Sequence, residues 1–335
     1  MIRRLGIDLG TSFTRIYVPK KGVVVNEPSV VALNGLNQKV AAVGMGAKKM
    51  LGRTPEAIIA SYPLNNGVIA SYKVTKRMLQ IYLDRILGRF RFFKPEIIVN
   101  VPYGATSTEK KAVLDAVETV GARKVYLMKS PVATALGAAI DIFSSSGNLI
   151  IDIGGGKTEV AVISLGDIVA ASSVRYGGKE VDKAIGEYIR KKHNLVIGEQ
   201  TAEQIKVQIA SATQPKKELK LEISGSNSIT GLPESMPIST GQTVNAIRPV
   251  LNEIILAVKQ VLQKTPPELS SDVMDKGIVI AGGTAKLRNL DELMTKVTGV
   301  PCQVAEDAEM CTIKGIGVAV ENFSDFLDSL AQRSK

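Results

Sequence analysis

A short sequence unit occurs twice in this chain of 335 residues and restricts its fold more than any other feature. The first copy, LGIDLGTSFT at 5–14, is an apolar run that ends in Asp8 and continues into a glycine and hydroxyl residues. The second copy, IIDIGGGKT at 150–158, has the same order around Asp152. Each copy predicts a strand that enters a tight hairpin able to surround a phosphate group. Together they predict two similar lobes that share one cleft.

The composition favours an aliphatic core covered on all sides. Hydrophobic residues make up 45% of the chain, aromatic residues only 4%, and tryptophan is absent. Aliphatic strands are typical of sheets with helices on both faces. We find no secretory signal and no run of ~20 apolar residues, so we expect a cytoplasmic protein. The two cysteines, Cys302 and Cys311, are too few for a disulfide framework or a metal site.

The net charge of +10 favours anionic partners such as phosphates or acidic lipid. The basic residues are spread along the chain without a nucleic-acid-binding motif, so we expect no nucleic acid partner. The single histidine, His193, follows three basic residues and is interpreted as a solvated helix end rather than a catalytic group.

Strand-like and helix-like patterns alternate, and their order repeats after a Ser-Gly linker at 144–147. The first half predicts a meander at 7–9, 16–18 and 23–25, helices at 74–87, 107–120 (N-cap Ser107 or Thr108) and 132–140, and strands at 96–102 and 125–128. The second half predicts a meander at 149–153, 160–163 and 168–172, a strand at 277–283, a small sheet within 211–241, and helices at 181–192, 202–210, 244–263, 287–298 and 318–330. The alternative is a single doubly wound sheet for a dinucleotide, but no G-x-G-x-x-G follows the first strand.

Five segments match the pattern of one known family in the same order. They are NEPSVVAL (26–33), LGRTPEAI (51–58), GGGKTEVAVISLG (154–166), IGEQTAEQIK (197–206) and KTPPELSSDVMDKGIVIAGGTAKLRNLDEL (264–293). With these segments the chain resembles the MreB family of bacterial actins, within the superfamily of actin, sugar kinases and heat-shock chaperone ATPases. One segment alone would be a weak signal, but five in order, over nearly the whole chain, are specific.

The resemblance implies the actin-like α/β fold, in which two lobes built from duplicated ribonuclease-H-like domains each carry a small outer subdomain. The first lobe would span 1–143, with its core at 1–31 and 65–143 and its outer insertion at 32–64. The second lobe would span 144–312, with its core at 144–180 and 242–312 and its outer insertion at 181–241. The C-terminal tail, 313–335, would pack back on the first lobe.

The two hairpins supply the candidate phosphate-binding groups. Glycine lets the backbone approach a phosphate closely, and amides and hydroxyls can donate hydrogen bonds to it. Asp8 and Asp152 lie just before the turns and suit a Mg²⁺ ion held through water, although either could instead cap its turn. The hairpin residues are Gly10, Thr11, Ser12 and Phe13 in the first copy, and Gly154, Gly155, Gly156, Lys157 and Thr158 in the second.

The resemblance implies ATP with Mg²⁺ as the cofactors and adds residues near the nucleoside. Glu203 and Lys206 would contact the nucleoside, although this spacing also suits a solvated ion pair. A glycine pair and the residues after it would open a helix whose amides face adenosine or phosphate, the alternative being an ordinary turn. This segment is Gly282, Gly283, Thr284, Ala285 and Lys286, and the implied catalytic set is Asp8, Asp152, Thr158 and Ser130.

Three departures from the family pattern fall on residues of this centre. The family has Glu-Glu-Pro where this chain has Lys-Ser-Pro at 129–131, so Ser130 replaces the glutamate that orients or activates the attacking water. Ser71 replaces another acid, and Lys157 replaces a common threonine and can add a cation near the phosphates. A hydroxyl cannot act as a carboxylate base at neutral pH. We therefore expect ATP to be bound but hydrolysed slowly or by a rearranged route.

Three phenylalanines lie among three cations in GRFRFFK at 88–94, where members of the resembled family carry a loop that enters the bilayer. We expect Phe90, Phe92 and Phe93 to insert at an anionic membrane surface while Arg and Lys meet the head groups. The alternative is that these side chains cap the core above the strand at Glu96.

The resemblance further implies a protein that polymerises at the inner face of the cell membrane and determines cell shape. Its implied partners are further copies of itself, the membrane, paralogues and wall-synthesis membrane proteins. A small-molecule kinase of the superfamily would need a sugar-binding signature, which we do not find. A chaperone-like ATPase would need a region after the second lobe, for which the sequence up to Lys335 leaves no room. A static, nucleotide-gated scaffold that co-assembles with an active paralogue stays open because of Ser130.

Overall fold

The computed structural model describes residues 2–53, 57–88 and 94–326. Its first half contains the strands β1 (Arg4–Leu9), β2 (Phe13–Val18), β3 (Gly22–Pro28), β4 (Val31–Asn34), β5 (Val40–Val43), β6 (Ile58–Ser61), β7 (Leu64–Asn65), β8 (Val68–Ile69), β9 (Glu96–Val101) and β10 (Lys124–Lys129), and the helices α1 (Met45–Lys48), α2 (Tyr72–Leu87), α3 (Ser107–Thr119) and α4 (Ser130–Gly137).

The second half also alternates strands and helices, and its elements follow in chain order. They are β11 (Asn148–Ile153), β12 (Thr158–Ser164), β13 (Asp167–Val174), α5 (Gly178–His193), β14 (Leu195–Val196), α6 (Glu199–Ile209), β15 (Lys220–Asn227), β16 (Pro233–Ser239), α7 (Thr240–Lys264), α8 (Pro267–Lys276), β17 (Ile278–Ala281), α9 (Leu290–Thr298), β18 (Cys302–Val304) and α10 (Cys311–Glu321), with 3₁₀ turns at Gly283–Lys286 and Ala308–Met310.

Two five-stranded sheets with the same topology form the centres of the molecule. Their strand orders are β10-β9-β1-β2-β3 and β13-β12-β11-β17-β18. Each sheet has a three-stranded antiparallel meander, and two parallel strands continue it beyond the first strand of that meander. The repeated sequence unit therefore begins the same topology twice, as predicted. The exact lobe boundaries stay a prediction.

The central strands are apolar enough to be covered on both faces. β12, TEVAVIS, is buried along its whole length, and β11 is buried except at Asp152 and β1 except at Arg4. Such continuous burial fits sheets that have helices on both sides. Each half also carries a small three-stranded antiparallel sheet in the segment inserted after its meander, in the orders β5-β4-β6 and β14-β15-β16.

The N-cap of α3 differs from the two residues that the sequence predicted. Thr106, not Ser107 or Thr108, is the N-cap of α3. Its hydroxyl accepts a hydrogen bond from the Glu109 N–H at 3.2 Å, and the Glu109 carboxylate accepts one from the Thr106 N–H at 2.8 Å. This reciprocal pair satisfies two amides that a helix start otherwise leaves unpaired.

Two helices near the C-terminus begin at other residues than predicted. Gly282 has a φ of +88°, and a side chain there would overlap the Ile153 carbonyl, so a 3₁₀ turn follows it and α9 begins only at Leu290. The helix predicted over 318–330 is α10, which begins earlier, at Cys311. Residues 327–330 of that prediction lie outside the described part of the chain.

The helices α4 and α10 cross between the two sheets and connect the lobes. α4 follows the first sheet but also packs on β11 and β12, whereas α10 follows the second sheet and packs on β1, β2 and β9. The crossing is very close, because side chains at Gly137 and Gly315 would overlap the backbone carbonyls of Cys311 and Ala133, respectively. Only glycine permits this approach.

We expect Gly315→Ala to lower the free energy of unfolding by about 1–3 kcal/mol, because the added methyl group must force the two helices apart. Gly186→Ala in α5 is the matched control. No atom lies within 4 Å of a methyl group at that position, so this change should raise the free energy of unfolding by about 0.5–1 kcal/mol. Urea unfolding followed by circular dichroism measures both. A Gly315→Ala midpoint equal to that of the wild type would contradict the close crossing.

Candidate functional site

The two sequence-predicted hairpins close in the same way and face each other. The Gly10 N–H donates to the Phe13 carbonyl at 3.0 Å, and the Gly154 N–H donates to the Lys157 carbonyl at 2.9 Å. A side chain at Gly155 would overlap the Ser12 hydroxyl, and one at Gly156 would lie 2.8 Å from the Thr11 hydroxyl oxygen. The hairpins therefore approach each other so closely that glycine is required at the second one.

A cavity of about 400 Å³ lies between the lobes at these hairpins. The predicted residues that line it are Asp8, Gly10, Thr11, Ser12, Phe13, Ser130, Asp152, Gly154, Gly155, Gly156, Lys157, Glu203, Lys206, Gly282, Gly283, Thr284 and Lys286. Two predicted residues do not line it. The Thr158 hydroxyl is buried and donates to the Tyr176 carbonyl at 2.7 Å, and Ala285 is packed into the core.

A hydrogen-bonded row of side chains runs along one wall of the cavity, and we call it the polar row. It consists of Arg15, Asp8, Asn100, Ser130, Lys157 and Glu159 in that order. Arg15 Nη1 lies 3.2 Å from Asp8 Oδ2, and the Asn100 amide donates to Asp8 Oδ1 at 2.9 Å and to Ser130 Oγ at 3.3 Å. The ammonium group of Lys157 lies 3.4 Å from Ser130 Oγ and forms an ion pair with Glu159.

The backbone holds this row in place. The side-chain oxygen of Asn100 accepts from the Leu9 N–H at 2.8 Å, which ties β9 to β1. Glu159 is fully buried and accepts from the Tyr103 N–H at 2.6 Å. The Ser130 hydroxyl donates to the Val101 carbonyl at 3.0 Å. Positions fixed in this way leave the row little freedom to rearrange around a ligand.

Asp152 lies at the end of β11, on the other side of the cavity from the first hairpin. Burial raises the pKa of Asp152 to about 6; Lys157 opposes this shift, and the carboxylates of Glu159 and Asp8 add to it. Its Oδ2 accepts a hydrogen bond from the Thr134 hydroxyl at 3.2 Å. Within the described part of the chain, Oδ2 is the only oxygen of Asp152 that accepts a hydrogen bond from the protein. The other oxygen can accept from a ligand.

Glu203 and Lys206 do not pair with each other, so the alternative of a mutual ion pair is wrong. Lys206 Nζ lies 2.8 Å from Asp182 Oδ2, and Glu203 pairs with Lys48 of the first lobe at 2.8 Å. The second oxygen of Asp182 is buried without a hydrogen-bond partner in the described structure. Burial raises the pKa of Asp182 to about 6, against the effect of Lys206.

Several contacts join the two lobes at residues in and beside the cavity lining, and we call them the rim latch. Besides the Lys48–Glu203 pair, the Gln200 amide donates to the carbonyls of Lys48 at 3.1 Å and Leu51 at 3.0 Å. The ammonium group of Lys179 lies 3.0 Å above the ring centre of Tyr62. The latch therefore joins α1 and the end of β6 to α5 and α6.

The residues fit a nucleoside polyphosphate. The facing hairpins offer amides and hydroxyls without side chains in the way, and the polar residues Asp182, Glu203 and Lys206 line the same cavity. A magnesium ion fits less completely, because both oxygens of Asp8 already have protein partners while Asp152 keeps one available. Within the described ranges, no three His, Cys, Asp or Glu side chains cluster closely enough to enclose a metal. Such an ion would be held through the phosphates and water.

Sequence reasoning missed several lining residues, of which Arg15 could have been found. A hairpin closed between Gly10 and Phe13 pairs Asp8 with Arg15 across the two strands, and the structure has this register. Asn100 and Tyr62 carry no such local signal, because only the folded chain brings them to the hairpins. None of the helices in the described ranges is long and apolar enough to cross a membrane.

The duplicated sheets, the facing hairpins and the cavity between the lobes define the actin-like two-lobe class of proteins. A family model described as MreB/Mbl protein matches residues 2–328, and the chain belongs to this family. The predicted fold class and family resemblance are thus confirmed.

Relatives and solved structures match over almost the full chain. The cell shape-determining protein Mbl of Bacillus subtilis (strain 168) is 43% identical over 331 residues, which cover 99% of this chain and 98% of that protein. The cell shape-determining protein MreB of Escherichia coli (strain K12) is 44% identical over 322 residues, which cover 95% and 93%. The crystal structures of MreB5 of Spiroplasma citri bound to ADP and to AMPPNP both superimpose with a TM-score of 0.93, at 34% identity and with 97% and 98% coverage.

Because the pKa of Asp152 is raised, we expect Asp152→Asn to stabilise the ligand-free protein by an amount that depends on pH. The pKa is about 6 in the fold against its ordinary value of 3.8, so the fold binds this proton more tightly than the unfolded chain. The resulting stabilisation is complete below about pH 4 and is lost as the pH rises to about 6. Asp152→Asn should therefore raise the free energy of unfolding by about 1 kcal/mol at pH 7.5, allowing for solvent in the cavity.

Thermal unfolding at pH 7.5 and pH 4 tests this, because at pH 4 the substitution should change the melting temperature little. Asp275→Asn, at an exposed position in α8, is the control and should leave both temperatures unchanged. A change in melting temperature of equal size at the two pH values would contradict the raised pKa of Asp152.

Proposed function

We propose that this chain is an ATP-binding actin homologue that forms filaments at the inner face of the cell membrane, determines cell shape and organises wall synthesis, and that it hydrolyses ATP weakly. One observation carries the proposal. Two equivalent hairpins face each other across one cavity, in a chain whose relatives over its full length are cell shape-determining proteins. The crystal structures of MreB5 bound to ADP and to AMPPNP support nucleotide binding by this chain.

The phosphates would lie between the hairpins, where the amides of the Gly10 and Gly154 turns can donate to them. The nucleoside would lie toward α5 and α6, where Asp182, Glu203 and Lys206 line the cavity. Magnesium, when bound, supplies positive charge that offsets the phosphate charge, and one oxygen of Asp152 could accept from its water shell. ATP between the hairpins would hold the lobes in one relative position and so favour one assembling conformation.

Weak hydrolysis is supported by the surroundings of Ser130. Its hydroxyl already donates to the Val101 carbonyl and is a poor base at neutral pH. On the Lys157 side of Ser130, the carboxylate of the polar row is Glu159, which is fully buried, accepts from the Tyr103 amide and is paired with Lys157. A carboxylate bound in this way is not available to take a proton from water. The same feature favours the second candidate, a nucleotide-gated scaffold that co-assembles with an active paralogue.

We expect Ser130→Glu alone to raise phosphate release only slightly, because the new carboxylate would pair with Lys157, whose Nζ lies 3.4 Å from Ser130 Oγ. Ser130→Glu combined with Lys157→Thr should raise the rate roughly 100-fold, the lower end of the range of a positioned general base. Single-turnover phosphate release with saturating ATP and magnesium measures the rates, and Lys157→Thr alone is the control. A fast wild type that neither substitution alters would contradict weak hydrolysis.

Membrane attachment is supported by sequence alone, because Phe90, Phe92 and Phe93 lie outside the described residues. The alternation of aromatic and basic residues in 88–94 suits the interface of an anionic membrane. Attachment there would place the filament and its wall-synthesis partners on the same membrane.

We expect the wild type to form filaments with ATP in electron micrographs and to float with anionic vesicles on a density gradient. Phe92→Ser combined with Phe93→Ser should abolish flotation and leave filaments intact, since these changes remove apolar groups that enter the membrane. Neutral vesicles are the control for the basic residues. Continued flotation of the double variant would contradict the membrane role, and absence of filaments under all nucleotide conditions would contradict self-assembly.

A further inference from the structure

We propose that Arg15 and Lys157 are built-in phosphate ligands that take over much of the charge compensation usually supplied by a divalent metal, so that this chain binds nucleoside triphosphate with only weak dependence on magnesium. The proposal rests on the proposed nucleotide binding and specifies how the cavity neutralises its ligand. The hairpin pattern gave Arg15 no such role, and it gave Lys157 only that of an added cation near the phosphates.

Arg15 is a fixed cation beside the first hairpin. It lies on β2 directly opposite Asp8, and its side chain is only 11% exposed. Its Nε donates to Asn26 Oδ1 at 3.1 Å and its Nη1 to Asp8 Oδ2 at 3.2 Å. A guanidinium has five N–H donors, so these two bonds orient the group and leave donors for phosphate oxygens. Arg15 also lines the cavity, which makes those donors reachable from it.

Lys157 is a fixed cation within the second hairpin. Its ammonium group is held by buried Glu159 and lies near Ser130 Oγ, so two of its three donors have partners. Its stem passes Gly67 of the other lobe, where a side chain would lie 2.7 Å from Lys157 Cε. The stem is thereby restricted, and the ammonium group remains at the wall of the cavity.

The charges in the polar row explain why the metal becomes less important. A bare carboxylate repels phosphate, and a metal ion between them is the usual remedy. In the row, Asp8 and Glu159 each have a protein cation beside them, so neither presents an uncompensated charge to the ligand. Both cations are held before the ligand arrives, so their side chains lose little freedom on binding. Asp152 is then the carboxylate in the immediate surroundings of the hairpins that still favours a hydrated metal.

The test is calorimetric titration of the full-length protein with AMPPNP, once with magnesium in excess over the nucleotide and once in EDTA. We expect the wild-type affinity to fall by less than about ten-fold in EDTA, which corresponds to the loss of one charge-assisted hydrogen bond. Arg15→Leu combined with Lys157→Thr should bind with magnesium but lose at least about 100-fold in EDTA.

Matched controls separate these effects from general charge and from folding. Arg248→Leu and Lys183→Thr remove exposed cations that do not line the cavity and should leave both affinities unchanged. Arg15→Lys with Lys157→Arg keeps both charges and should keep the weak metal dependence. Thermal melting of each variant without ligand shows whether it is folded. If Arg15→Leu destabilises the fold by leaving Asp8 unpaired, Lys157→Thr alone still predicts a metal dependence above that of the wild type.

The outcomes are distinct. A wild type that loses 100-fold or more in EDTA, or a double variant with the same small metal dependence as the wild type, would overturn this inference while the proposed nucleotide binding stands. A wild type that binds no nucleotide even with magnesium would overturn the proposed function itself.

Discussion

The close crossing of α4 and α10 is the constraint on which the site depends. Each helix follows one sheet and packs on the other, so neither lobe is complete without a helix from its counterpart. Gly137 and Gly315 permit the backbones to touch, and a methyl group at either would overlap a carbonyl. Because this contact is backbone against backbone, side-chain rearrangements cannot adjust it. The two hairpins thereby meet at a fixed separation, with their glycines against hydroxyls of the opposite turn.

The charged side chains around the hairpins determine the electrostatics of the cavity. The two aspartates before the hairpins would, by themselves, make the cavity a place for a metal ion. Arg15 and Lys157 change that balance, because each forms an ion pair next to the space where phosphates fit. Ser130 lies next to Lys157 and is linked to Arg15 through Asn100 and Asp8. The position at which the family pattern has a catalytic glutamate therefore joins two cations in this chain. Under the proposed function, binding and weak turnover would both depend on this row of residues.

The repeat in the sequence was sufficient to predict the duplicated sheets and the hairpin residues that line the cavity, whereas Ser130, Glu203 and Lys206 came from the family resemblance. Hairpin, aspartate and glycine are local signals, and the topology repeats with them. The start of α10 could not be predicted in the same way, because Gly315 and Gly317 lower helix propensity and their use lies in packing against Ala133 and Tyr17. Likewise Gly282 looked like the entry to a helix, but its positive φ leads into a 3₁₀ turn.

Long-range partners were beyond local reasoning altogether. Glu203 was correctly placed at the cavity by family resemblance, yet its partner Lys48 is 155 residues away and belongs to the other lobe. Nothing near either residue in the sequence signals the other. Asn100 is a comparable case, since its role comes from the parallel pairing of β9 with β1.

The rim latch has a consequence for the lifetime of any bound molecule. Its ion pair, amide hydrogen bonds and cation–π contact join the two lobes beside the cavity, so a bound molecule that leaves past them must wait for them to break. A neighbouring copy that held these contacts closed would lengthen the residence time of that molecule without touching it.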